Sequence, residues 1–317
     1  MTYMRYEPPK RRLPVFKFGI TLVVAVLLAA VLLHFHKKPA TGTSTAVSSA
    51  YSAKLSNQNL DWPDSGEAAV GVVGSGVLAV HGTQTARPTA STAKLITALA
   101  VLKKYPLQPG QSGPTLTMSR TDIDFLVSYT ALDGSEIGKV FVGEKLTEYQ
   151  MLEAMMLPSA NNMADSLAVW AYGSLPEYAT AANSYLASQG LHDTHVGTDA
   201  SGLDPSTVTT AHDLVLLGEL AMQNPVLAEI VGKQSVDGFP LVGTIENTNT
   251  LLGHDGIVGV KTGNTDEAGG VFVFAAKHTG ANGSELTIVG AVQGLPNLQA
   301  ALDATQPLLR SAKQNIE

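Results

Sequence analysis

The chain has 317 residues, enough for one large domain or two small ones, and the composition of a globular protein. It contains no cysteine, which excludes disulfide bonds, thiolate catalysis and cysteine-ligated metal sites. The net charge of -7 is unevenly spread: the first 38 residues hold seven basic and one acidic side chain, leaving 13 of the 20 basic and 26 of the 27 acidic side chains to the rest. So acidic a region repels a phosphate backbone, and nucleic-acid binding is not expected.

The first predicted element is an apolar helix over residues 18–36, a stretch with no fully charged side chain. At ~1.5 Å per residue it reaches roughly 27 Å, enough to cross the hydrocarbon core of a membrane. Five basic residues precede it and two follow closely. This pattern predicts a single-pass anchor in the cell membrane, with residues 1–17 as a cytoplasmic tail and the bulk of the protein outside the cytoplasm. A cleaved signal peptide is the alternative interpretation.

Residues 37–59 are predicted to be a flexible linker, because they are rich in Ser, Thr and Ala and show no helical or strand period. The folded domain is expected over residues 60–317. It opens with a β-hairpin, in which the apolar runs EAAVGVV and GVLAVHG are joined by a Gly-Ser turn. A helix over residues 92–104 follows, since its apolar side chains recur at helical spacing.

The middle third of the chain is helical in character, and strands return near its end. Apolar spacing predicts helices over residues 147–157, 163–172, 176–188 and 211–222. Three strand-like runs come later, GIVGVKTG, GGVFVFAAKH and ELTIVGAVQG, and an amphipathic segment over residues 298–312 follows them. This order predicts an α+β domain, in which one antiparallel sheet is covered by helices and a helical lobe is inserted between the early and the late strands.

Three short motifs occur once each and in this order: Ser91-Thr92-Ala93-Lys94, Ser159-Ala160-Asn161 and Lys261-Thr262-Gly263. At the start of a helix, the side chain three residues after Ser91 lies on the same face, so Lys94 can lie beneath the serine hydroxyl. Serine is a poor nucleophile until a base takes its proton, and a buried lysine with a lowered pKa can do so. The first motif therefore predicts Ser91 as a nucleophile and Lys94 as its base.

The other two motifs have both an ordinary and a functional interpretation. The second is predicted to be a tight loop before a helix, where Ser and Asn also serve as helix caps. The third ends a strand: Lys261 beside the hydroxyl of Thr262 can bind a carboxylate, and Gly263 lets a peptide approach the strand backbone closely. Each motif alone is weak, and the functional interpretation rests on all three occurring together in this order.

Such a motif set is the signature of penicillin-binding proteins and class A β-lactamases. From about residue 66 to residue 294 the chain resembles the low-molecular-mass D-alanyl-D-alanine carboxypeptidases. The likeness covers RPTASTAKLITALAVL, MLPSANNMADSLA, DASGLDPSTVTTAHDL, DGIVGVKTGNTDEAGG and the segment NTNTLL with Asn247 and Asn249. It implies a β-lactamase/transpeptidase-like fold, a peptidoglycan stem peptide ending in D-Ala-D-Ala as substrate, β-lactam antibiotics as covalent inhibitors, and no cofactor.

The resemblance also implies roles for individual residues. Ser91 would form an acyl-ester with the penultimate D-Ala, Lys94 would accept its proton, and Ser159 would relay a proton to the leaving nitrogen. The substrate would be bound by Asn161, Lys261, Thr262 and Gly263, and its oxyanion by the backbone N–H groups of Ser91 and Asn264. The chain departs from the best-known members in having Ala160 in the second motif and Asn264 after the third.

The alternative functions are a β-lactamase, a non-catalytic relative, and an endopeptidase or transpeptidase. A class A β-lactamase needs a Glu-x-x-Leu-Asn segment, and no Glu between the second and third motifs begins one. A non-catalytic peptidoglycan-binding relative would be expected to lack Ser91 or Lys94. A D,D-endopeptidase or transpeptidase stays open, because the sequence does not define the acyl acceptor. No metal site is predicted, since the run His192-Asp193-Thr194-His195 has no third ligand nearby.

Overall fold

The computed structural model describes residues 60–132, 136–280 and 283–316. The predicted cytoplasmic tail, membrane anchor and linker, residues 1–59, lie outside this part of the chain. Within the described residues no single helix is long and apolar enough to cross a membrane. Two consecutive helices, Ala211–Gln223 and Pro225–Val231, are together long and apolar enough to cross a membrane, but they are bent by 105° relative to each other.

Strands and helices are numbered here in chain order over the described residues. The strands are β1 (Glu67–Val72), β2 (Gly76–His81), β3 (Arg87–Pro88), β4 (Thr115–Thr117), β5 (Lys145–Thr147), β6 (Val208–Thr209), β7 (Ser235–Phe239), β8 (Gly243–Glu246), β9 (Ile257–Thr265), β10 (Gly269–Thr279) and β11 (Glu285–Leu295). The helices are α1 (Ala93–Lys104), α2 (Arg120–Thr130), α3 (Glu148–Met156), α4 (Asn161–Tyr172), α5 (Leu175–Ser188), α6 (Ala211–Gln223), α7 (Pro225–Val231) and α8 (Leu298–Asn315).

A five-stranded antiparallel sheet with the order β2–β1–β11–β10–β9 forms the centre of the domain. Side chains alternate between its faces, as the two-residue period of a strand requires. In β10, Val271 and Val273 belong to the core shared with the helices between β2 and β9, whereas Phe272 and Phe274 belong to a second core shared with α8. The sheet is therefore covered by helices on both faces, and the predicted α+β architecture with an inserted helical lobe is confirmed.

The strongly patterned elements form where the sequence predicts them. The predicted helix over residues 92–104 is α1, and ten consecutive residues of this helix, 93–102, are buried. The predicted hairpin is β1–β2, and the three late apolar runs are β9, β10 and β11. Because α1 is enclosed by the core, its first turn is a rigid support for a functional group.

Helix α2, α7 and the hairpin β7–β8 were not predicted. In α2 only Tyr129 is fully buried, while Ile123 and Leu126 are partly buried against the core, so the helix packs through a short apolar face. It is also stabilised by a capping box, in which the backbone N–H of Ser119 donates to Asp122 Oδ2 at 2.7 Å. Capping chemistry is a local signal, and the sequence analysis did not apply it to this segment.

Candidate active site

The first motif lies in a tight turn that leads into α1. Ser91 lies in a 3-10 helix of one turn, Ala90–Thr92. Ala90 has a φ of 45°, a left-handed conformation that costs about 1–3 kcal/mol when it is imposed on an L residue. Neighbouring segments hold the turn in place. The N–H of Thr89 donates to Thr207 O at 3.1 Å, and a Cβ on Gly202 would lie only 2.1 Å from Ala90 O. The conformation that presents Ser91 is thus maintained by tertiary contacts.

Lys94 is fully buried directly beneath the serine hydroxyl. Its Nζ lies 2.8 Å from Ser91 Oγ, 2.6 Å from Asn161 Oδ1 and 3.1 Å from Ser201 O. A neutral amine has two N–H donors and one lone pair. The two oxygens of Asn161 and Ser201 accept both donors, which directs the lone pair at Ser91.

The environment of Lys94 favours this neutral form. Burial lowers the pKa of Lys94 to about 7, against the opposing effect of the carboxylates of Asp199, Asp165 and Glu136. A lysine with such a pKa is a substantially neutral base near neutral pH, whereas an ordinary lysine is almost wholly charged. The predicted Ser–Lys pair is therefore present with both the geometry and the protonation that general-base chemistry needs.

Behind Lys94 lies a buried polar cluster that the sequence analysis missed. Tyr129 donates to Asp165 Oδ2 at 2.7 Å, and Ser201 Oγ donates to Asp199 Oδ2 at 2.6 Å. Burial raises the pKa of Asp165 to about 6. These residues come from α2, α4 and the segment 199–201, which are far apart in sequence. Asp199 lies in the run DASGL, which belongs to the resemblance, but nothing in the sequence indicates that Asp199 and Tyr129 lie close together.

The second and third motifs form a second lysine–serine pair. Ser159 has a φ of 67°, and its hydroxyl accepts from Lys261 Nζ at 2.9 Å, while the same Nζ donates to Thr262 O at 3.0 Å. Lys261 is 1% exposed. Burial and the charge of Lys94 hold the pKa of Lys261 well below its usual value. Since Asn161 contacts Lys94, the structure brings all three motifs together.

The hydroxyl of Thr262 meets a residue that the sequence analysis passed over. Thr262 Oγ1 lies 2.6 Å from Thr248 Oγ1, in the segment whose Asn247 and Asn249 were noted from the resemblance. Those two asparagines have supporting roles: Asn247 Nδ2 donates to Lys233 O at 2.9 Å, and Asn249 Oδ1 accepts from the N–H of Leu251 at 3.1 Å. When Thr248 donates to Thr262, the proton of Thr262 is free to meet a bound anion.

Gly263 and Asn264 adjoin the turn that carries Ser91. A Cβ on Gly263 would lie 3.1 Å from both Ser91 N and Ala90 Cβ. The glycine therefore lets β9 approach the turn that carries Ser91. This close approach adds to that of a bound peptide, which the sequence predicts. The side chain of Asn264 is exposed and its Oδ1 accepts from the N–H of Leu298 at 2.9 Å, at the start of α8. Asn264 therefore offers the site its backbone, and not its side chain.

No metal site accompanies this arrangement in the part of the chain that the structure describes. Over residues 60–132, 136–280 and 283–316, no group of three or more His, Asp or Glu side chains is arranged to hold a metal ion. In the run of residues 192–195, the backbone of His195 forms a β-bridge with Val208.

Comparison with known proteins agrees with the fold and the motifs. Residues 69–290 match the family described as D-alanyl-D-alanine carboxypeptidase. The chain is 32% identical over 227 residues to D-alanyl-D-alanine carboxypeptidase DacB2 of Mycobacterium tuberculosis, which is 69% of this chain and 71% of that protein. The crystal structure of a D-alanyl-D-alanine carboxypeptidase from the same organism has a TM-score of 0.68 at 29% identity, covering 82% of this chain and 95% of that one.

A second solved structure is a DD-transpeptidase from Streptomyces, with a TM-score of 0.66 at 27% identity over 77% of this chain and 95% of that one. The fold and the family match define a serine peptidase. The chain belongs to the D-alanyl-D-alanine carboxypeptidase family. The prediction of a serine-type D-alanyl-D-alanine carboxypeptidase is thus confirmed, and the β-lactamase and non-catalytic alternatives are not favoured.

Proposed function

We propose that the chain removes the terminal D-Ala from peptidoglycan stem peptides through an acyl-enzyme on Ser91. The observation that carries this proposal is the contact of 2.8 Å between Ser91 Oγ and Lys94 Nζ, in a site where burial lowers the pKa of Lys94 to about 7. A buried, partly neutral lysine beside a half-buried serine hydroxyl is an activated nucleophile. β-Lactam antibiotics would acylate the same hydroxyl.

In the acylation step, Lys94 takes the proton of Ser91 while Ser91 Oγ bonds to the carbonyl carbon of the penultimate D-Ala. The oxyanion is stabilised by the backbone N–H groups of Ser91 and Asn264. The close packing of Gly263 against Ser91 N supports this role, because it brings the two backbone segments together. The carbon–nitrogen bond then breaks, and Ser159 relays the proton held by Lys94 to the leaving D-Ala nitrogen, receiving one proton as it gives up its own. In the second half of the reaction water attacks the acyl-ester carbonyl, the bond to Ser91 Oγ breaks, the shortened peptide leaves as a carboxylic acid, and one proton of the water returns to Ser91.

The substrate carboxylate is bound, in this proposal, by Lys261 and Thr262. An anion beside Lys261 favours its charged form, which burial alone disfavours. The interaction between the charges of Lys94 and Lys261 is mutual, so a charged Lys261 disfavours a charge on Lys94. Binding the carboxylate therefore favours the neutral base. The enzyme would be readiest to acylate when a substrate with a free C-terminus is in place.

A direct assay tests the proposed function. Full-length protein in detergent is incubated with a pentapeptide ending in D-Ala-D-Ala, and free D-Ala is measured. We expect release by the native protein and none above background by Ser91→Ala. If the native protein releases no D-Ala from this peptide, the proposal is wrong.

We propose further that residues 18–36 anchor the protein in the cell membrane and that residues 37–59 connect the anchor to a catalytic domain outside the cytoplasm. The length of the apolar run and the basic residues before it support this placement, and the proposed substrate is a cell-wall peptide. We expect full-length protein to stay in the membrane fraction through high-salt and alkaline washes. Mature protein that begins near residue 40 would show instead that the segment is a cleaved signal peptide.

A further inference from the structure

A cleft of about 390 Å³ opens beside the proposed active site. Three of its lining residues connect it to that site. Pro158 directly precedes Ser159, Thr248 contacts the hydroxyl of Thr262 at 2.6 Å, and Glu136 O accepts from the N–H of Asn161 at 2.9 Å. The cleft is therefore continuous with the groups that would hold the substrate and protonate its leaving nitrogen.

The interior of this cleft is apolar. Its walls include Met163 on α4, Phe239 at the end of β7 and Ile245 on β8, all of them buried. The turn between β7 and β8 adds Leu241 and Val242, whose side chains are 50% and 42% exposed. Apolar side chains that stay in contact with water around a concave surface are typical of a site that binds an apolar group.

Charged side chains also line the cleft. Lys139 and Glu246 are exposed, and so is Glu136. A ligand with an aliphatic body can therefore carry a polar end, because these charged groups remain in contact with water. The cleft thus suits an unbranched aliphatic chain better than a compact apolar group.

The position of the cleft indicates which part of a substrate faces it. This step rests on the proposed function, in which Thr262 binds the terminal carboxylate. That carboxylate and the side chain of the leaving residue are attached to the same Cα. Since Thr248 both contacts Thr262 and lines the cleft, the side chain of the leaving residue is the part of the substrate that lies nearest to it. The methyl group of D-Ala leaves almost all of 390 Å³ unfilled.

We infer that the cleft is a binding site for the side chain of the leaving residue, and that its preferred occupant is the unbranched aliphatic chain of a D-amino acid larger than alanine. The enzyme then cleaves D-Ala-D-Xaa bonds in which Xaa carries such a chain. The cleft would extend the substrate class beyond the terminal D-Ala.

The test compares two peptides that share the same acyl part and end in D-Ala-D-Ala or in D-Ala-D-norleucine. Full-length protein in detergent is used, and kcat/KM is measured from the released amino acid. We expect a value for the norleucine peptide at least about tenfold above that for the D-Ala peptide, since norleucine adds three methylene groups that the apolar cleft removes from water. An equal or lower value for norleucine, with D-Ala still released, overturns this inference alone. No release from the D-Ala peptide contradicts the proposed function itself.

A pair of variants locates the effect. Val242→Asp places a charge in the apolar wall of the cleft, whereas Val80→Asp places it on β2, at the opposite edge of the sheet from β9, at a valine of similar exposure (37%, against 42% for Val242). We expect Val242→Asp to lower the norleucine-to-alanine ratio of kcat/KM by about tenfold and Val80→Asp to leave both values unchanged. An unchanged ratio in Val242→Asp, with both substrates weakened equally, would place the acyl part of the substrate in the cleft instead and overturn the inference.

Discussion

Two lysine–serine pairs lie side by side in this protein, and they differ in what surrounds them. Lys94 lies 2.8 Å from Ser91 Oγ, and Lys261 lies 2.9 Å from Ser159 Oγ. Both lysines are almost completely buried, and burial lowers the pKa of each. The first pair is at the start of a helix, and the second joins a loop to an edge strand.

The two lysines differ in function because their side-chain nitrogens have different partners. Burial lowers the pKa of Lys94 although the nearby carboxylates of Asp165 and Asp199 raise it, and two acceptor oxygens keep its remaining hydrogens bonded once it has lost a proton. Lys261 donates to a hydroxyl and to a backbone carbonyl, beside the hydrogen-bonded hydroxyls of Thr262 and Thr248. The same two residue types can therefore serve as a base with its nucleophile or as an anion site with its proton relay.

The largest expected difference between the pairs concerns the covalent bond. Penicillin should leave one adduct on the native protein, on the peptide that contains Ser91, because β-lactams mimic the scissile amide. Ser91→Ala should form no adduct, whereas Ser159→Ala should still form one, more slowly. Intact-mass analysis of the three proteins distinguishes them. An adduct that survives Ser91→Ala would assign the nucleophile to another residue.

A second difference concerns the two lysines. Arginine keeps a positive charge but cannot act as a base near neutral pH. Lys94→Arg should therefore slow acylation by penicillin at least ~10²-fold, as expected for the loss of a general base. Lys261→Arg keeps the cation that a carboxylate needs and should lose less. Thermal unfolding of both variants provides the control for folding, and equal losses in two folded variants would contradict separate roles.

A third prediction tests the anion site through the substrate. Charge-assisted hydrogen bonds contribute roughly 1.5–3 kcal/mol, so amidating the C-terminal D-Ala should lower kcat/KM about 10- to 150-fold. Thr262→Val should weaken activity on the free acid much more than on the amide, because the contact that it removes is already lost there. This double-mutant cycle between enzyme and substrate isolates the pair. Equal losses on both substrates would show that Thr262 does not bind the carboxylate.

The smallest expected effect concerns pH. Acylation requires neutral Lys94, so its rate should rise with pH and level off above the pKa of about 7. The carboxylate of Asp165 raises the pKa of Lys94. Asp165→Asn should therefore move the inflection of the acylation rate to lower pH. Tyr129→Phe, which removes a hydrogen bond to Asp165 but no charge, should move it less. An inflection that does not move in Asp165→Asn would show that the carboxylate does not act on the base.

Much of the fold could be predicted from the sequence because its strongest signals are local. The apolar period of α1 and the alternation along β10 depend on residues a few positions apart, and tertiary packing followed both patterns. Helix α2 has one buried residue, Tyr129, and two partly buried apolar residues, Ile123 and Leu126, beside its cap and the bond of Tyr129 to Asp165. Its apolar face is short, and no helix was predicted from it.

For the active site, the sequence alone determined the residue types and one short-range geometry: Ser91 and Lys94 lie three positions apart at a helix start and had to share a face. The tertiary structure decided what Lys94 does there, because its acceptors lie 67 and 107 positions further along the chain, at Asn161 and Ser201. Tertiary structure alone also brought Thr248 to Thr262 and packed Gly263 against the nucleophile turn. Burial and electrostatic interactions act through space, so the pKa of a buried lysine depends on neighbours whose positions in the sequence carry no mark of that contact.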